Sequence, residues 1–87
     1  MKRNAAFIKN FLCSIVTVTD VRLDSFDHSL VAFSEDPENG GFDLADAVFR
    51  KMRTNEAFKL AMKDCTQAIK ATQGLVRITL KPNVVCL

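Results

Sequence analysis

Residues 54–81 read T-N-E-A-F-K-L-A-M-K-D-C-T-Q-A-I-K-A-T-Q-G-L-V-R-I-T-L-K, and the periodicity of the chain changes within them. Phe58, Ala61, Met62, Cys65, Ala68, Ile69 and Thr72 recur at helical spacing behind a Thr54 or Asn55 cap, until Gly74 stops the run. Val76, Ile78 and Leu80 then alternate with Arg77, Thr79 and Lys81, the pattern of a strand with one wet face. A helix feeding directly into a half-buried strand predicts an α+β chain. Lys81 and Pro82 discourage further pairing and mark that strand as an edge, ahead of the apolar tail Val84–Leu87.

Upstream, Leu44, Ala45, Val48, Phe49 and Met52 form a helical stripe that Asp43 can cap. Extending that stripe would bury Asn55, Glu56, Lys59 and Lys63, so the helix must break before a second one begins. Ser34–Gly41 (S-E-D-P-E-N-G-G) is a loop, because Pro37 lacks an amide donor and Asn39-Gly40-Gly41 tolerates positive φ. Before it, the β-branched run after Ser14 and the short run Leu30–Phe33 read as an antiparallel hairpin joined through D-S-F-D-H-S at 24–29. The alternation changes phase from Val16 and Val18 to Val21 and Leu23, which places a bulge near Thr19 and Asp20. Phe7, Ile8, Phe11, Leu12 and Ile15 follow Asn4 as one face of a short helix. The order α-β-β-α-α-β predicts a single domain over 1–87: a small two-layer α+β sandwich of about three antiparallel strands packed by helices.

With 87 residues, 48% hydrophobic and a net charge of +2, the chain is too apolar and too weakly charged for a disordered protein. It contains no apolar run near the roughly 20 residues of a membrane span. Lys2 and Arg3 precede an apolar stretch, but Lys9 and Asn10 interrupt it and no small-x-small cleavage site follows, so a signal peptide is not expected. Cys13, Cys65 and Cys86 are odd in number and widely spaced, which fits reduced, buried thiols in a cytoplasmic setting. His28 is the only histidine, so a multi-histidine zinc site is excluded. Asp24 and Asp27 could orient it, but the string also reads as a turn, and no positioned nucleophile accompanies it. Asp36, Glu38 and Asp43 lack the spacing of a calcium loop. The expectation is therefore a non-enzyme without cofactor or metal.

Charge placement carries the functional reading. Residues 20–46 hold eight acids against Arg22 alone, a net −7, whereas residues 47–87 hold eight bases against two acids, a net +6. On the second helix Lys59, Lys63 and Lys70 would project within about 40° of one another as a basic ridge. Arg50, Lys51 and Arg53 in the last turn of the preceding helix suit its dipole, and they would extend the ridge to six bases if they share its side. Glu35, Asp36 and Glu38 offer an acidic surface on the loop. Either patch can equally be a solvated face.

These features point to a small intracellular protein-binding module that regulates or inhibits a larger protein complex through its segregated charge, with Phe26, Phe33 or Phe42 as anchors. A viral or phage accessory protein has this profile of size and missing motifs. Nucleic-acid binding along the basic ridge is the alternative, weakened by the lack of Tyr and Trp for stacking. A sheet this small leaves edges open to homodimerisation, and no membrane partner is expected.

Overall fold

The computed structural model describes residues 3–86; Met1, Lys2 and Leu87, and with them the basic start and the last residue of the apolar tail, lie outside the described residues. The elements are β1 (Arg3–Asn4), α1 (Ala6–Ser14), β2 (Val18–Asp24), β3 (Ser29–Ser34), α2 (Gly40–Thr54), α3 (Glu56–Cys65), β4 (Thr66–Ala71), β5 (Leu75–Leu80) and β6 (Val84–Val85). Four strands make one antiparallel sheet in the order β2-β3-β5-β4, and β1 pairs parallel with β6 in a separate ribbon. The two-layer α+β sandwich is thus present, with one more sheet strand than the periodicity predicts.

Alternation in β3 and β5 builds the core. Leu30 lies opposite Ile78 and Ala32 opposite Val76, and all four are fully buried against Ile8, Leu12, Leu44, Val48, Phe58 and Met62 of the helices. One face of the sheet therefore meets the helix layer, and the smallest extent of the molecule is 19 Å, two layers thick. Phe58 sits at the centre. Its ring takes Phe11 edge-on at 4.8 Å and Phe7 at 6.0 Å, and burying a side chain of this size contributes about 3 kcal/mol.

The helix expected to run on to Thr72 ends at Cys65, and Thr66–Ala71 is strand β4. Cys65, Ile69 and Thr72 fit a helical stripe, but Ile69 and Ala71 also fit the alternation of a strand, where they lie opposite Ile78 and Val76. Pairing decides between the two, because β5 gains a second neighbour only if this segment extends. Gly74 is consequently the turn of a β4–β5 hairpin, and β5 is an inner strand instead of an edge. A register shift between Thr66 and Ala68 bulges β4 at Gln67.

The first hairpin forms, but its first strand starts at Val18 and not directly after Ser14. Residues 15–17 make a turn in which Val18 N donates to Ile15 O at 3.0 Å and Val16 is exposed, while the register shift between Val18 and Asp20 puts the bulge at Thr19. Asn55 caps α3, its Oδ1 accepting from Phe58 N at 2.9 Å. Helix α2 starts three residues ahead of Asp43, at Gly40, and neither Gly40 nor Gly41 has positive φ. These glycines serve proximity. A Cβ on Gly41 would collide with the backbone carbonyl oxygens of Thr72 and Leu75, so its absence lets α2 seat against the β4–β5 turn, where Gly41 N donates to Gln73 O at 2.8 Å.

Candidate protein-binding groove

The six bases read as one patch separate into three environments. Lys70 lies on β4, not on a helix, and its register partner is Arg77 on the sheet face away from the helices. Arg50 Nη2 pairs with Asp46 at 2.7 Å one helical turn away, and Lys51 Nζ stands over the Phe11 ring at 5.5 Å beside α1. Arg53, Lys59 and Lys63 remain together. They rim a surface groove where the last turns of α2 pass α3 and the edge of β4.

This groove has two adjoining parts that share Phe49 and Met52. One, of about 370 Å³, is closed by Met62, Lys63 and Thr66–Ile69. The other, of about 540 Å³, is closed by Arg53, Glu56 and Lys59. Phe49 is 43% exposed, although the stripe of α2 assigns it to the core. Phe49 faces the opening between α2, Met62 and Lys63 of α3, and the start of β4, so its place on the stripe does not bury it. Lys59 and Lys63 still lie one helical turn apart on α3 and are exposed. Among the described residues Arg53, Lys59, Lys63 and Lys70 make no ion pair.

The acidic set sits at the opposite end of α2. The helix has 15 residues, so its N-terminal loop and basic last turn stand roughly 20 Å apart. Glu35 and Glu38 are exposed, whereas Asp36 organises the loop, its Oδ1 accepting from Glu38 N at 2.9 Å and Asn39 N at 3.3 Å. The acids of the first hairpin are spent differently: Arg77 Nη1 pairs with Asp24 at 2.8 Å and Asp27 at 3.0 Å, and Asp20 pairs with Arg22. Segregated charge thus survives along α2, while on the sheet face the hairpin acids are paired with Arg22 and Arg77 and Lys70 stands apart from them.

Asp24 is spoken for as a turn and ion-pair residue. Its Oδ1 accepts from Phe26 N, and hydrogen bonding from Arg77 holds its carboxyl below the usual carboxylate range. His28 is exposed with φ of 55°, the left-handed residue that closes the hairpin, and its carbonyl accepts from Leu80 N. Asn83 (φ 73°) plays the corresponding part after Pro82, where Val84 N donates to Lys81 O at 3.3 Å. Of the three anchor phenylalanines, Phe26 is 96% exposed at the hairpin tip and Phe42 is half-exposed, while Phe33 lies beneath the Arg22 guanidinium. Cys13 is exposed, contrary to the expected packing role, because it falls on the outer side of α1; burial pushes the Cys65 and Cys86 thiols up. No helix of the described residues is long and apolar enough to cross a membrane.

Compared with known protein families, with curated proteins and with solved structures, the chain matches none.

Proposed function

We propose that this chain is a small intracellular protein-binding module, without catalytic activity, which regulates or inhibits a larger protein by holding an acidic, partly apolar segment of it. The observation that supports this most is the Phe49–Met52–Met62 groove with Arg53, Lys59 and Lys63 on its rim. Exposed Phe49, with partly buried Met52 and the buried Met62 behind it, offers apolar surface in a concave site, and unpaired cations at the rim supply steering and register. The acidic end of α2 adds orientation, since the field along the helix aligns an incoming partner with the groove.

The test is affinity capture from cells, comparing the wild-type chain with Lys59→Glu/Lys63→Glu, Phe49→Ser and Glu35→Gln/Asp36→Asn/Glu38→Gln. A partner lost with the first two variants and kept with the third supports the groove. A partner lost only with the third moves the function to the loop. Nucleic-acid binding predicts instead an affinity that falls linearly with the logarithm of salt concentration.

A further inference from the structure

We infer that the segment held in this groove binds in extended form, as a fifth strand added to the free edge of β4; this rests on the groove being the binding surface. Thr72 N donates to Leu75 O at 2.9 Å, which fixes the phase of the β4–β5 ladder. Antiparallel ladders alternate, so Lys70 and Ala68 bond across to Arg77 and Thr79, while the N–H and C=O groups of Ile69 and Ala71 point away from β5. Contacts between β3 and β5 agree: Ser34 N donates to Gly74 O and Leu80 N to His28 O, the alternate set. Among the described residues no strand pairs with the outer side of β4.

The same edge forms one wall of the groove. A residue added opposite Ile69 shares its face and drops toward Phe49, Met52 and Met62; one opposite Lys70 emerges on the open sheet face beside that ammonium group. Lys63 stands at the groove wall. Both faces of an added strand therefore meet a cation, and the fitting occupant alternates apolar residues with Asp or Glu. A second copy of this chain fits poorly, because two-fold pairing of β4 with itself gathers both copies' Lys63 and Lys70 along one seam. Main-chain bonds would supply affinity and the groove would supply selectivity, the division of labour in strand addition.

The probes are peptides selected from a random twelve-residue display library against the whole chain. Selected sequences should alternate acidic and apolar residues, protect the Ile69 and Ala71 amides from hydrogen exchange, and bind more weakly to Lys63→Glu and Lys70→Glu. N-methylation at every second peptide residue, in the register facing those amides, should cost about tenfold in affinity. Ala71→Pro, which removes only an outward N–H, should fold and lose comparable affinity. Peptides that depend on Lys59 and Lys63 yet ignore N-methylation and leave both amides unprotected overturn the strand and keep the groove. A library that yields no peptide sensitive to Phe49→Ser or Lys63→Glu overturns both. A dimer of the protein alone with protected Ile69 and Ala71 amides makes a second copy the occupant.

Discussion

Arg77 Nη1 lies 2.8 Å from Asp24 Oδ2, an ion pair that reaches from β5 past β3 to the end of β2. In register, Val31 stands between Arg22 and Arg77, and it is only 4% exposed although its face carries no helices. Two long arginine stems shade it, which closes this side of the sheet with charged side chains in place of a third layer.

Because Arg77 lowers the Asp24 pKa in the folded chain, the pair contributes stability above the unfolded carboxylate value, near pH 4, and loses it as pH falls through the lower folded value. Chemical denaturation of Arg77→Met should therefore show a flatter decline below about pH 4 than the wild type. Parallel acid profiles for the two would exclude this role.

Gly41→Ala should destabilise by about 1–3 kcal/mol, since its methyl group meets backbone carbonyls that cannot rotate aside. Gly74→Ala meets Pro37 only at 3.5 Å and, without a positive φ to satisfy, should change stability by less than about 1 kcal/mol. Thermal melts of the two variants give the comparison, and equal melting temperatures would refute the close-approach account.

Phe58→Ala should cost about 3–5 kcal/mol, enough to unfold much of a domain this small. Phe26→Ser, at the bare hairpin tip, should stay within about 0.5 kcal/mol of the wild type. Urea titrations followed by circular dichroism would separate them.

One thiol of three should react quickly with a disulfide reagent at neutral pH. Cys13 is exposed, whereas Cys65 and Cys86 carry raised pKa values through burial, which slows attack by withholding the thiolate. Mass spectrometry after brief labelling should find the adduct on Cys13, and a first adduct on Cys65 would contradict the fold.

Much of this architecture is legible in short-range patterns. Val76, Ile78 and Leu80 alternate as a strand must, the phase slip at Thr19 is the bulge, and Asn55 caps α3 through its own side chain. Residues 66–71 are not legible, because Cys65, Ile69 and Thr72 satisfy a helical period while Ile69 and Ala71 satisfy a strand's, and only the second neighbour gained by β5 decides. Lys70 left the basic ridge for that reason. The groove is hidden similarly: Phe49 and partly buried Met52 continue the core stripe of α2, and that they line an opening depends on how α3 and β4 pack beside that helix. Pairings such as Asp46 with Arg50 depend on a helix alone and were readable; Arg77 with Asp24 depends on strand order and was not.

The inner position of β5 governs how a growing polypeptide acquires this shape. During synthesis β2, β3 and both long helices leave the ribosome before residues 75–80, so Leu30 and Ala32 must wait, uncovered on one side, for Ile78 and Val76. Until then the nascent chain holds an unfinished sheet in reach of chaperones, and a translational delay just before residue 75 would lengthen that vulnerable interval.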